Sequence, residues 1–243
     1  PRRQWPRGVH RTASARFPVL PAVPRPSPSF TCLLSTAVGN DRGSSYLPAM
    51  STGFHHGFPL SPARIHEVCG AGAVTFAVLA ARRLLPVLWV REAWLPEMLN
   101  PLGLVPFLDP AEVLLARTNS QADSLAVAEE ALRDGAAGFV AVEITRPLNL
   151  REGRRLQLAA GAGKTTGLCL IPEGMGSNAA ETRWRCSPVF DVTASDSTLM
   201  RWELIKNKSG TLGAWHVRWD TASHRLDVVS AVAGRPGVAG VSG

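Results

Sequence analysis

Residues 64–81, RIHEVCGAGAVTFAVLAA, constrain this chain more than any other stretch. They read as a short strand, a glycine turn and a helix that begins at once. In α/β proteins that junction is where phosphates are usually held. The glycines expose backbone N–H groups, and the helix start adds partial positive charge. Here the junction is built but its phosphate chemistry is missing. A GxxxxGK[ST] loop places a lysine on the β/γ-phosphates and a hydroxyl on Mg²⁺. This turn offers Gly70, Gly72 and Thr75, with no lysine and too few residues to wrap a triphosphate. One charge-assisted hydrogen bond contributes ~1.5–3 kcal/mol. The missing lysine alone therefore weakens triphosphate binding by roughly ten- to a hundredfold. The expectation is a nucleotide-binding architecture that has given up nucleotide chemistry.

An α/β rhythm runs from this junction to residue 171. Strands are expected at 65–69, 86–91, 113–116, 139–144 and 167–171, and helices at 73–85, 93–99, 120–134 and 151–160. The helix at 120–134 is the clearest: Ser120 caps it, Asp123 sits at its third position, Leu125, Ala128 and Leu132 share one face, and Gly135 stops it. The helix at 151–160 is expected to close at Gly161 and Gly163. Beyond Pro172 the rhythm changes. Residues 183–190, 199–206, 214–220 and 224–229 read as strands joined by polar turns. The expected fold class is α/β: a mostly parallel sheet flanked by helices, with an antiparallel C-terminal strand extension.

Charge is not spread evenly. The chain carries +7, but residues 1–49 hold seven arginines and one acid, Asp41, leaving the remainder near +1. The high pI thus belongs to the tail and gives no sign that the globular part binds nucleic acid. The same tail holds eight prolines and little apolar surface to offset an ordering cost of ~1–2 kcal/mol per residue. Residues 1–60 are therefore expected to be a disordered Arg/Pro-rich tail, 61–232 a folded domain, and 233–243 a flexible glycine-rich end. A basic arm on nucleic acid and a targeting peptide are the alternatives for the tail. A chain opening on Pro1 reads as a fragment or a processed product, with Met50 as a candidate start. The four cysteines, Cys32, Cys69, Cys169 and Cys186, show no metal spacing, and Cys69 and Cys169 fit buried thiols in a reducing cytosol. No apolar run reaches the ~18 residues of a membrane helix.

Several residues could carry chemistry. Gly161-Ala-Gly-Lys164-Thr165-Thr166 looks like a phosphate loop, but it follows a helix and leads into a strand, the reverse of the required order. It reads as a helix end. Glu143 closes the FVAVE strand, where nucleotide-binding sheets hold Mg²⁺-bound water; an exposed acid at a strand end is the alternative. Glu92 follows the second strand at the same edge and could have activated water. His55 and His56 read as surface residues rather than metal ligands. The last third alternates Trp with base around Trp184, Trp202, Trp215 and Trp219. Aromatics would fall on one strand face and cations on the other. That pattern suits a core face with a solvated back, a protein interface, or single-strand stacking; the near-neutral charge disfavours the last, and the expectation is that these four tryptophans contact a partner protein.

These segments together resemble a family. RIHEVCGAG, PVLWVREAW, AEEALRDGAAGFVAVE, RRLQLAAGAG, SNAAETRWRCSP, RWELIKNKSG and AWHVRWDTASHRL are similar to stretches of the bacterial RecA-like accessory proteins of SOS mutagenesis, the ImuA family. The resemblance implies a RecA-like fold. It places Gly70–Thr75 where recombinases have the phosphate loop, Glu92 on the catalytic glutamate and Glu143 on the strand-end aspartate. Lys206 and Lys208 fall on lysines that reach the neighbouring subunit's nucleotide. It also implies a cytoplasmic, non-catalytic role without cofactor or metal. The partners would be an inactive Y-family-like polymerase and an error-prone C-family polymerase, with recombinase as a further contact and DNA engaged only indirectly. The rival expectations are a weak ATPase using Glu92, Glu143 and Lys206, and an SOS cell-division inhibitor.

Overall fold

The computed structural model describes residues 59–191 and 197–232. The tail calls therefore fall outside the described residues, apart from Pro59 and Leu60; Leu60 is buried in the core, so the fold is under way before residue 61. Cys32, Met50, His55 and His56 also lie outside them.

Among the described residues nine strands form one mixed sheet: β1 (Ile65–Cys69), β2 (Val87–Glu92), β3 (Val113–Thr118), β4 (Phe139–Glu143), β5 (Thr166–Leu170), β6 (Thr182–Pro188), β7 (Ser197–Asn207), β8 (Gly213–Asp220) and β9 (Arg225–Val232). Their order is β3-β2-β4-β5-β1-β6-β7-β8-β9. The α/β class with an antiparallel end is as expected. The switch comes one strand later than expected, because β6 pairs parallel to β1 and only β7 to β9 run antiparallel.

Two layers cover the sheet. Helix α1 (Ala73–Ala81) and the connection leading through the short α2 (Pro101–Leu104) lie on one face, over Val68, Trp89, Ala141, Leu168 and Trp202. Helices α3 (Gln121–Asp134) and α4 (Leu150–Gly163) lie on the other, over Ile65, Cys69, Val90, Val142 and Cys169. Strands buried on both faces must be apolar throughout, which is why β4 reads FVAV rather than alternating. Helix α3 is capped as the sequence suggested: the Ser120 hydroxyl accepts from the Asp123 N–H at 3.2 Å, and Gly135 ends it at φ +78°.

Three expectations are corrected by local chemistry. Residues 93–99 form one turn at Ala93–Trp94 and then irregular chain rather than a helix, because Pro96 lacks an N–H and disfavours α geometry at Leu95. The helix moves to α2, where Pro101 occupies the first position and Asn100 caps it. Helix α1 stops at Ala81, short of Pro86. Helix α4 continues through Gly161 and Gly163 and ends at Lys164, which takes the left-handed conformation at φ +55°. Gly163 is a packing residue: a β-carbon there would lie 2.0 Å from the Leu132 carbonyl oxygen at the end of α3. GAGKTT is thus a helix end and a strand start.

The β5–β6 crossover, residues 171–181, has no helix and passes β1 on the α4 side. Glu67, in the middle of β1, fastens it. Its Oε1 accepts from the Ser177 N–H at 2.7 Å, and its Oε2 accepts from Arg183 Nε at 2.8 Å. Arg183 in turn donates to the Ser177 carbonyl at 3.1 Å. A buried carboxylate is tolerable only with such partners.

Candidate functional site

The glycine turn sits at the carboxyl end of β1, as read, but it is packed shut. Gly70 has φ +92°, and a β-carbon on it would lie 2.5 Å from the Cys186 carbonyl oxygen. The Gly72 N–H donates to that same carbonyl at 2.9 Å. A β-carbon on Gly72 would meet Cys186 Sγ at 2.7 Å. These glycines therefore let β6 pass close to the turn. Gly70→Ala, which adds both a clash and a left-handed alanine, is expected to cost roughly 1–3 kcal/mol, read as a lowered urea midpoint. Thr75 lies half-buried within α1.

Beside the turn, a cleft of about 520 Å³ opens at the carboxyl ends of β2, β4 and β5. Strand β2 continues into a connection on the α1 face, and β4 continues into α4 on the opposite face. A crevice between strands whose connections part in this way is where open α/β sheets bind ligands. The walls are mainly apolar: Val74, Trp94, Leu95, Met98, Ile144 and Ile171. Its charged floor is neutralised. Arg91 Nη2 lies 3.3 Å from Glu143 Oε2, and Trp89 Nε1 donates to Glu143 Oε1 at 2.8 Å.

The sequence placed Glu92 and Glu143 at one edge, and so they are, but on opposite faces of the sheet. Glu143 faces α1. Glu92 faces α3, is buried, and accepts from the Thr145 hydroxyl. Gln121 completes that side by accepting from the N–H groups of Thr145 and Arg146 at 2.8 and 2.7 Å.

Lys206 and Lys208 lie away from the cleft. Lys206 Nζ donates to the carbonyls of Ser177 and Asn178 at 3.3 and 3.2 Å and to that of Ala180; Lys208 Nζ reaches the Ala179 carbonyl at 2.6 Å. Burial holds the Lys206 ammonium below its ordinary pKa; Glu67 opposes that shift, and Lys208 and Arg183 add to it. Both lysines clamp the crossover of their own chain.

The expectation that the tryptophans form an outward contact surface is corrected for three of the four. Trp184, Trp202 and Trp219 are buried and Trp215 is partly buried. Strand alternation puts all four on the face covered by α1 and the α2 connection. Phe76 of α1 packs on Trp202 at 4.5 Å and on Trp184 at 5.6 Å, and Phe107 packs on Trp219 at 5.8 Å. The arginines Arg185, Arg201 and Arg218 take the opposite, solvated face, where Arg185 pairs with Glu173 and Glu203, Arg201 with Glu203, and Arg218 with Asp191.

Cys69, Cys169 and Cys186 are buried free thiols; burial pushes the Cys186 thiol up to about 12 and also raises the other two. Among the described residues no group of three or more His, Cys, Asp or Glu side chains could hold a metal, and no helix is long and apolar enough to cross a membrane. Sequence reasoning missed Arg91, Trp94, Met98 and Gln121. The available signals were an arginine inside an otherwise apolar strand and a Trp and a Met in a proline-broken segment.

No protein-family model matches the chain, and no curated protein matches it.

Proposed function

We propose that the chain is a non-catalytic, RecA-like accessory protein of the ImuA type. On this reading it serves SOS-induced, error-prone translesion synthesis in the cytoplasm by binding an inactive Y-family-like polymerase partner. It acts together with that partner and an error-prone C-family polymerase, and recombinase is a second contact. The observation that carries the reading is how the nucleotide groups are engaged inside the chain. The Gly72 N–H is bonded to Cys186, Glu143 is tied to Arg91 and Trp89, and Glu92 holds Thr145. Lys206 and Lys208 hold crossover carbonyls. What faces outward at the same edge is an apolar cleft, which suits a binding protein better than a motor.

Titration calorimetry with ATP and Mg²⁺ is expected to show no saturable micromolar site; such a site would favour the weak ATPase. Affinity capture of the chain from DNA-damaged cells, followed by mass spectrometry, is expected to return the polymerase partner. Its consistent absence from damaged cells overturns the reading.

A further inference from the structure

Strand β3 borders the sheet, and among the described residues no strand lies beyond it. Border strands are usually protected by lysine, proline, a bulge or a covering element, because their unpaired N–H and C=O groups invite another strand. β3 has none of these. Its sequence is VLLART, and it pairs with β2 over all six residues without a register shift. Leu114 is 58% exposed on the α3 face and Leu115 is 40% exposed on the α1 face, so neither helical layer overhangs the border. The one cation, Arg117, is folded back onto the Ala93 carbonyl at 2.7 Å.

The backbone groups at this border select what can pair with it. The Thr118 carbonyl accepts from the Ala93 N–H at 2.8 Å, so Thr118 turns its groups toward β2. Alternate residues face alternate edges, so Ala116 and Leu114 do the same, while Val113, Leu115 and Arg117 turn theirs outward. The Val113 N–H is already bonded to the Pro110 carbonyl. The outward row is therefore the Val113 C=O and both groups of Leu115 and Arg117. Charge sets the direction. Asp109 and Glu112, both exposed, precede the strand, and Arg117 stands near its end. Two copies in parallel would bring acid to acid; antiparallel copies bring each acidic end beside the other's basic end.

We propose that two copies of this chain pair through β3, antiparallel, about a two-fold axis at Leu115. Leu115 then exchanges both its hydrogen bonds with the partner's Leu115. The Arg117 N–H of each copy donates to the partner's Val113 carbonyl. Leu115 packs on the partner's Leu115 on one face, and Leu114 on the partner's Ala116 on the other. An axis at Leu114 or Ala116 would set two residues across it whose groups are already spent on β2. The contact is isologous and closes at two. It is also small, so the dimer is expected to dissociate on dilution. It does not depend on what else the chain binds.

Sedimentation velocity of the full chain over a concentration series is the test. The mass is expected to rise to twice 26.0 kDa and stop there. Leu115→Pro deletes an outward N–H and no bond to β2, and should weaken the dimer roughly ten- to a hundredfold. Leu115→Lys sets like charges across the axis and should weaken it about three- to tenfold. At a dilution where the parent is monomeric, Leu115→Lys should keep the parent urea midpoint, which keeps the test valid if the proline variant unfolds. Glu112→Lys and Arg117→Glu should each weaken the dimer, and the two together should restore it. A monomer at every soluble concentration overturns the proposal, in favour of a cover supplied by the chain's own residues or by another protein. Mass that keeps growing with concentration overturns it in favour of an open, head-to-tail contact. A dimer indifferent to both Leu115 variants lies elsewhere on the surface and overturns it too. A double charge variant no tighter than either single one rejects the antiparallel register.

Discussion

Glu67→Ala is expected to lower the free energy of unfolding by about 3–5 kcal/mol, the range for breaking a buried ion pair from one side. The carboxylate sits at the centre of the sheet, 1% exposed, and holds both Arg183 and the Ser177 backbone. Alanine leaves the Arg183 guanidinium, only 21% exposed, with no counter-charge, and the buried Ser177 N–H with no acceptor. The crossover should loosen first, because packing against α4 has little slack. A β-carbon on Gly153 would already lie 2.6 Å from Ser177 Oγ. Limited proteolysis should therefore cut within residues 171–181 before the rest of the fold. Replacing both partners, as Glu67→Met with Arg183→Met, removes the stranded charge and should recover most of the loss, since apolar residues of similar volume often replace a buried pair at little cost. Urea titration of the two single variants and the double variant measures the coupling. A loss below about 1 kcal/mol in Glu67→Ala would mean that the pair contributes no more than an exposed one.

The parts of this fold that were legible in the sequence are those set by near neighbours. The strand–glycine–helix junction, the Ser120 cap and the Gly135 stop depend on residues a few positions apart, and they appear where the pattern put them. The exchange of helices for strands after Pro172 was visible for the same reason. Pairings that join distant segments were not legible. Whether β6 runs along β1 or against it depends on how an eleven-residue link crosses the sheet, and nothing local encodes that Glu67 will anchor it. The alternation of Trp and Arg fixed that the two kinds of side chain part company. It did not fix which face α1 would cover, so the indoles looked as suited to a partner as to the core. Glu92 and Glu143 show the same limit at the site. Each is at a strand end, but their relative faces follow from register: Val90 pairs with Val142, so Arg91, not Glu92, comes beside Glu143.

Acid should destabilise this protein through one buried ring. His66 is fully buried on β1, and burial lowers its pKa from 6.5 to about 4; the Ser61 carbonyl opposes that shift and Arg64 adds to it. The contacts accommodate the neutral ring that this shift implies at pH 7. Nε2 donates to the Ser61 carbonyl at 2.9 Å, while Nδ1 accepts from the Thr182 hydroxyl at 2.7 Å. That hydroxyl oxygen is itself the acceptor for Trp184 Nε1 at 3.1 Å. A second ring proton would turn Nδ1 into a donor and force the Thr182 hydrogen elsewhere. The unfolded chain takes up that proton near pH 6.5 and the folded chain only near pH 4. The stabilising contribution is therefore complete above pH 6.5 and is lost as pH falls toward 4. A 2.5-unit difference amounts to roughly 3 kcal/mol, with a slope approaching 1.4 kcal/mol per pH unit within that window. Urea titrations at pH 7, 5.5 and 4.5 should follow this slope. His66→Gln, which keeps a donor and an acceptor but binds no proton there, should flatten it while retaining the shallower acid dependence of the paired carboxylates. Parallel slopes in parent and variant would show that acid acts elsewhere.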